Sequence, residues 1–221
     1  MGEIVHLSAP DGHRFSAYRA RPLGTARGGV VMLHEIFGVN THIRTTADRL
    51  ADSGFAVLVP ALFDRIAPGS ELDFGDAGRA QGIALRDALG WDAPLIDLQT
   101  ARDVLAHDGK VAAWGLSFGG TLAWRAAAAV DLACAVAESP GGLRDFLDET
   151  PHCPVQVLIG SDDPALPPSL REETARRHPG AEILTFAAGH GFYCPFREDY
   201  DEAAAALAEA RAIDFLSRHL D

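Results

Sequence analysis

Short and nearly uninterrupted apolar runs recur along the chain, separated by longer segments in which apolar residues return with a helical period. The runs cover residues 28–34, 55–62, 110–115, 132–139, 154–163 and 181–190. Runs of this length are typical of strands that are buried on both faces of a parallel sheet. The segments between them, residues 41–54, 95–109, 119–131, 168–180 and about 200–220, are compatible with helices, and Gly54 and Gly109 end two of them. Strands that alternate with helices predict an α/β fold with a doubly wound, mostly parallel sheet.

Two regions depart from this alternation. Before the first apolar run, two β-compatible stretches flank the turn Pro10-Asp11-Gly12 and predict an N-terminal β-hairpin. Residues 67–94 are rich in glycine and acidic residues with weak periodicity, so we expect only a short excursion over the sheet edge and a minimal cap. The chain of 221 residues suffices for one well-buried core, which predicts a single domain over residues 1–221.

Charge and composition exclude several classes of function. Nineteen basic against 31 acidic residues give a formal net charge of -12, which repels phosphate backbones and argues against a nucleic-acid partner. The chain has neither a signal-peptide pattern at its start nor an apolar run long enough for a bilayer, so we expect a cytoplasmic protein without membrane contact. The three cysteines form no C-x-x-C pair, and neither a disulfide framework nor a zinc knuckle is indicated.

A candidate nucleophile lies where one apolar run meets a helix. Gly115-Leu116-Ser117-Phe118-Gly119 has the pattern G-x-S-x-G in the strand–turn–helix context of a nucleophile elbow. Its glycines leave room for a strained turn that exposes the Ser117 hydroxyl, and the Phe118 N–H at the helix start is placed to stabilise an oxyanion. The alternative is a tight strand-to-helix turn without chemistry.

A serine needs a histidine base and a carboxylate that orients the histidine. Asp162 and Asp163 follow one apolar run, and His190 lies in a glycine-flanked loop after the next. The order Ser, Asp, His at successive strand ends places all three types at the edge where open α/β sheets bind ligands. Cys194 is a weaker candidate for the nucleophile.

Glu35, after the first apolar run, lies in a loop expected to supply the second oxyanion N–H, although an ion pair with a basic residue would equally explain it. His34-Glu35 does not extend to the metalloprotease pattern H-E-x-x-H, because the position of the second histidine is Gly38. No metal or organic cofactor is implied.

These motifs together resemble the dienelactone hydrolase family of α/β-hydrolases over nearly the whole chain. The resemblance rests on HEIFGVN, the elbow GLSFGG, GSDDPALPP and AGHGF, in collinear order. It implies an α/β-hydrolase fold, a triad of Ser117, Asp163 and His190, and an oxyanion hole formed by the Ile36 and Phe118 N–H groups. In that family the loop glutamate, here Glu35, contacts the resting nucleophile.

The chain departs from the family pattern in three places. Ser117 stands where the family usually has a nucleophilic cysteine, and Ile83 stands where it has a tyrosine, four residues after an arginine that binds substrate. Of two arginines that bind the substrate carboxylate, Arg79 is kept, whereas the position four residues after His190 is Cys194. Arg197 lies close enough in sequence to replace the missing arginine, so we name Glu35, Arg79 and Arg197 as substrate-binding candidates.

We therefore expect a serine hydrolase that cleaves a small ester or lactone through an acyl-enzyme, acting as a monomer or homodimer. A thioesterase, peptidase or acyltransferase on the same scaffold is one alternative. A non-catalytic protein that kept the pocket for ligand binding or protein interaction is the other.

Overall fold

The computed structural model describes residues 2–221 and is built around one eight-stranded sheet. The strands are β1 (Glu3–Ser8), β2 (Arg14–Ala20), β3 (Gly29–Leu33), β4 (Ala56–Pro60), β5 (Val111–Leu116), β6 (Cys134–Glu138), β7 (Val155–Gly160) and β8 (Glu182–Phe186). Their order in the sheet is β1-β2-β4-β3-β5-β6-β7-β8. Strands β3 to β8 are parallel, and β2 runs antiparallel to both β1 and β4. Each apolar run of the sequence overlaps one of the six parallel strands along all or nearly all of its length, which confirms the predicted sheet.

Within residues 2–221, six α-helices cover the two faces of the sheet, as expected for a doubly wound fold. They are α1 (Thr41–Asp52), α2 (Asp76–Leu89), α3 (Ala93–Leu105), α4 (Phe118–Ala129), α5 (Pro168–Arg177) and α6 (Glu202–Leu220). Helices α1 and α6 bury their apolar residues against one face, and α2 to α5 bury theirs against the other. The core therefore has two layers, separated by parallel strands that are buried on both sides. No helix in the described part of the chain is long and apolar enough to cross a membrane.

The predicted hairpin is confirmed. Strands β1 and β2 pair in antiparallel register around a turn in which Gly12 has φ 86°, and the Gly12 N–H donates to the Ala9 carbonyl. Glycine adopts this left-handed conformation without the steric cost that a Cβ would bring. Strand β2 then pairs with β4, so that the hairpin extends the parallel sheet at one edge.

Residues 67–94 differ from the prediction, because they contain the 14-residue helix α2. The buried positions of this helix are Gly78, Gly82, Leu85 and Leu89. Two glycines on the buried face weaken both the helix propensity and the apolar period that pattern analysis depends on. Close contacts of these two glycines with the backbone of neighbouring segments hold the helix in place.

A buried carboxyl group lies at the end of β6. Glu138 is 2% exposed, and its Oε2 accepts a hydrogen bond of 3.1 Å from Trp114 Nε1. Burial raises the pKa of Glu138 to about 8, which one neutral donor does not offset. The side chain therefore binds a proton in the folded state over a pH range in which the unfolded chain has lost it.

We predict that the free energy of unfolding falls as pH rises from about 4.5 to about 8, because Glu138 has a higher pKa in the folded state. Glu138→Gln keeps an acceptor for Trp114 and removes the titration. The loss of stability between pH 5 and pH 8, measured by urea unfolding, is expected to be smaller in Glu138→Gln than in wild type by roughly 2–4 kcal/mol. Equal pH slopes for the two proteins would contradict the assignment.

Candidate active site

Ser117 lies on a strained turn between β5 and α4. Its φ of 53° and ψ of −106° are unusual for a residue with a Cβ. A Cβ at Gly115 would lie 1.8 Å from the Gly119 carbonyl oxygen, and one at Gly119 would lie 2.2 Å from the Leu33 carbonyl oxygen. Both glycines are therefore required by close backbone contacts, as the G-x-S-x-G pattern predicts.

A continuous hydrogen-bond chain joins Ser117, His190 and Asp163. Ser117 Oγ lies 2.9 Å from His190 Nε2, within the limit of about 3.5 Å expected for a serine and its base. His190 Nδ1 lies 2.7 Å from Asp163 Oδ2. Because the carboxylate oxygen only accepts, Nδ1 carries the proton and Nε2 is free to accept one from the serine hydroxyl.

The two neighbouring aspartates have different environments. Asp163 is 2% exposed, and its Oδ1 accepts a hydrogen bond of 2.9 Å from the Ala165 N–H. Asp162 is exposed and accepts a hydrogen bond from Ser161 Oγ. Asp163, the one chosen by the resemblance, is thus the carboxylate that the loop after β7 directs towards His190.

The two residues whose N–H groups are expected to form an oxyanion hole both lie next to Ser117 in the pocket lining. Ile36 follows β3, and Phe118 is the first residue of α4. Both residues line the same pocket as Ser117, and neither N–H donates to an acceptor within residues 2–221. The Phe118 N–H lies at a helix start, where unpaired N–H groups favour negative charge, and this is the property an oxyanion site needs.

Helix α2 is docked directly onto the loop that carries Ile36. A Cβ at Gly82 would lie 2.1 Å from the Ile36 carbonyl oxygen, so the helix backbone touches the loop backbone. Gly38 in the same loop forms an antiparallel bridge with Glu71, just ahead of α2. The segment predicted as an excursion is therefore the element that fixes the candidate oxyanion loop.

The pocket above Ser117 has a volume of about 450 Å³. Its charged lining residues include Arg79 and Arg197, both named from the sequence, together with Arg86, Asp87 and Asp145, which were not. Ile83 and Trp91 add apolar surface. The spacing of positions 79, 83 and 86 places them on one face of a helix, and this signal becomes readable only once α2 is known to exist.

Glu35 lies beneath the pocket wall instead of lining it. It is 1% exposed, and its Oε1 accepts a hydrogen bond of 3.1 Å from Tyr193 Oη and lies 3.8 Å from Arg197 Nη1. Burial raises the pKa of Glu35, while Arg197 and the Tyr193 hydrogen bond act in the opposite direction. No hydrogen bond joins Glu35 to Ser117 within the described range, in contrast to the contact that the resemblance implies. The closest pocket-lining group to Glu35 in these contacts is therefore the guanidinium of Arg197.

Comparisons with known proteins assign the chain to a family. The model of the dienelactone hydrolase family matches residues 15–220. A carboxymethylenebutenolidase of Pseudomonas putida is 33% identical over 97% of this chain and 96% of its own length. Carboxymethylenebutenolidase 1 of Cupriavidus pinatubonensis is 30% identical over 98% of this chain and 97% of its own.

The chain belongs to the dienelactone hydrolase family.

Solved structures extend the likeness to the whole fold. A candidate dienelactone hydrolase of Klebsiella pneumoniae has a TM-score of 0.82 and 25% identity and covers 99% of both chains. Esterase Pf2001 of Pyrococcus furiosus, at 17% identity, has a TM-score of 0.71 over 100% of this chain and 94% of its own, a similarity of fold. Membership of the dienelactone hydrolase family places the chain in a family of hydrolases.

The loop after His190 shows how this dienelactone hydrolase family member differs from the family pattern. Cys194, at the position of a family arginine, is buried, and burial raises the pKa of its thiol to about 12. A thiol in this environment carries no thiolate at neutral pH and is a poor nucleophile. Arg197, three residues later, lines the pocket instead.

His34 links two backbone segments next to the candidate site. Its Nδ1 lies 2.5 Å from the Glu35 carbonyl oxygen, and its Nε2 accepts a hydrogen bond of 3.2 Å from the Leu62 N–H. Burial lowers the pKa of His34 to about 4, so the ring stays neutral and ties the oxyanion loop to the segment after β4.

We predict that Gly82→Ala lowers kcat/KM for ester hydrolysis by at least about 10-fold, because the new methyl group must push α2 away from Ile36. The accompanying loss of stability is expected to be about 1–3 kcal/mol, the usual cost of overpacking. Gly180→Ala is the matched control, since a Cβ at Gly180 meets open space. Steady-state kinetics that are equal for the two variants would show that the docking of α2 does not position the site.

Proposed function

We propose that this protein hydrolyses small esters or lactones through a Ser117–His190–Asp163 triad and a covalent acyl-enzyme. The observation that carries the proposal is the hydrogen-bond chain of 2.9 Å and 2.7 Å between the three side chains. The curated relatives support the substrate class, because their name, carboxymethylenebutenolidase, describes a substituted butenolide, which is a lactone.

Acylation begins when Ser117 Oγ bonds to the carbonyl carbon and its proton passes to His190 Nε2. Asp163 stabilises the resulting imidazolium and keeps its ring oriented. The electron pair of the broken C=O π bond moves to the oxygen, where the Ile36 and Phe118 N–H groups stabilise the charge. Collapse of this intermediate breaks the C–O bond, and the leaving oxygen takes the proton from His190 Nε2.

Deacylation repeats these steps with water. His190 takes a proton from the water, whose oxygen bonds to the acyl carbon, and the second tetrahedral intermediate releases Ser117 Oγ with that proton. The products are an acid and an alcohol, or a single hydroxy acid when the substrate is a lactone.

Two arginines in the pocket lining favour substrates that carry an anionic group. Arg79 and Arg197 both line the pocket, and guanidinium groups bind carboxylates through paired, charge-assisted hydrogen bonds. The buried Glu35 lies 3.8 Å from Arg197 and reduces the net positive charge on that side. Arg79 is therefore the stronger candidate to bind a substrate carboxylate, because the charge of Arg197 is partly neutralised by Glu35.

A fluorophosphonate probe is expected to label wild-type protein on Ser117, as located by peptide mapping. Ser117→Ala should lose the label and at least about 10³-fold in kcat for an aryl ester, because a hydroxyl activated by a histidine is the attacking group. Cys194→Ala should keep the label. Folded wild type that takes no label would favour a non-catalytic ligand-binding role, and label that disappears with Cys194→Ala would identify the thiol as nucleophile.

Arg79→Gln is expected to raise KM for a carboxylate-bearing aryl ester by about 10-fold to 100-fold, the worth of a hydrogen bond to a charged group. The KM for a neutral ester of the same size should change little. Both constants come from one steady-state assay with paired substrates. A parallel rise for both esters would mean that Arg79 shapes the pocket without recognising charge.

A further inference from the structure

Three buried side chains with metal-binding atoms meet behind the candidate oxyanion loop. Glu35 follows β3, His42 lies in the first turn of α1, and Cys194 lies in the loop between β8 and α6. One carboxylate oxygen, one ring nitrogen and the cysteine sulfur lie within 4.8 Å of one another. The proposed hydrolysis uses none of the three as nucleophile, base or oxyanion donor.

Two polar atoms of this cluster have no partner. Glu35 Oε2 and His42 Nε2 are both buried and make no hydrogen bond to any described residue. Buried polar atoms are nearly always paired, because leaving one unpaired costs about 1–3 kcal/mol. Two such atoms next to the Cys194 sulfur indicate that the cluster is built for an additional group.

The neighbouring groups hold the three side chains in orientations suited to a common ligand. Tyr193 Oη donates to Glu35 Oε1 and leaves Oε2 free, and the Tyr193 ring stacks on the His42 ring with 6.3 Å between centroids. The Cys194 N–H donates to the Gly191 carbonyl at 3.0 Å, which fixes the turn that carries the sulfur. Hydrogen bonds of this kind orient and tune the ligands of protein metal sites.

We propose that Glu35, His42 and Cys194 bind one Zn²⁺ ion. Thiolate, imidazole and carboxylate are the three side-chain donors that zinc takes, at about 2.0–2.3 Å, and three protein ligands leave a fourth position for water. Atoms within 4.8 Å of one another need to move by roughly 0.5–1 Å each to reach such distances. On binding, Zn²⁺ displaces the proton of the Cys194 thiol to solvent, and the resulting thiolate together with the Glu35 carboxylate neutralises the charge of the ion.

One member of the cluster lies beside a hollow at the surface. The hollow has a volume of about 430 Å³ and is lined by His42 together with Glu71 and Asp73. Glu71 is paired with Arg44, which leaves Asp73 as the acidic group that attracts cations there.

The ligand pattern escapes sequence inspection because the three residues are far apart in the chain. Zinc motifs are recognised by pairs of ligands two to five residues apart, whereas positions 35, 42 and 194 come from three separate segments. Only the fold brings them together, at the edge where β3 ends and the loop after β8 returns.

The test measures metal binding directly, on full-length protein freed of metal with a chelator. Zn²⁺ titrated by calorimetry is expected to bind with a stoichiometry of one, and added Zn²⁺ should raise the melting temperature. Co²⁺ in place of Zn²⁺ should give a thiolate-to-metal charge-transfer band in the near ultraviolet. Neither readout depends on hydrolysis, so the result is independent of the proposed function.

Cys194→Ser and His42→Phe should weaken Zn²⁺ binding by at least about 10-fold, since each removes one ligand while keeping the size and, for Phe, the ring contact with Tyr193. Cys153→Ser, at a half-buried cysteine elsewhere in the fold, is the matched control and should bind like wild type. Circular dichroism verifies that the variants are folded. The proposal is overturned if wild type binds no Zn²⁺ at micromolar concentration, if Co²⁺ gives no thiolate band, or if both ligand variants bind like Cys153→Ser.

Discussion

The close backbone approach at the turn between β5 and α4 is the constraint on which the rest of the site depends. Gly115 faces Gly119 and Gly119 faces Leu33, with no space for a Cβ at either glycine. The Ser117 N–H also donates to the Glu138 carbonyl at 2.8 Å, which anchors the turn to β6. Held in this way on the central strands, the Ser117 hydroxyl has a fixed position against which the other groups are placed.

Parallel strands then bring the remaining groups to the same edge of the sheet. Asp163 follows β7, His190 follows β8 and Ile36 follows β3, so each side chain or N–H group comes from a loop at a carboxyl end. Loops carry the chemistry, and the buried strands beneath them supply the rigidity. A hydrogen-bond chain across three separate loops holds its geometry only because the sheet fixes where those loops begin.

Sequence patterns predict the elements whose signals are local. The apolar runs locate all six parallel strands, because a strand buried on both faces is apolar at nearly every position. The segments around Ser117, Asp163 and His190 can likewise be identified from the sequence, since each motif occupies a few consecutive residues. Helix α2 escapes prediction because Gly78 and Gly82 occupy its buried face, where close contact replaces apolar bulk. Because the helix is not predicted, pattern analysis also misses Arg86 and Trp91 as pocket residues. It misses the cluster of Glu35, His42 and Cys194 because only tertiary contacts bring these residues together.

The contact between Gly82 and Ile36 has a consequence for how substrate range changes in this fold. Because the backbone of α2 rests on the oxyanion loop, the helix and the loop form one rigid unit, and a shift of either displaces the other. The side chains at 79, 83 and 86, by contrast, project into the pocket from a helix face that this contact leaves free. Substitutions of the pocket-facing side chains of α2 can therefore change substrate preference without moving the oxyanion loop. Insertions that move the helix would also displace that loop and lower the catalytic rate.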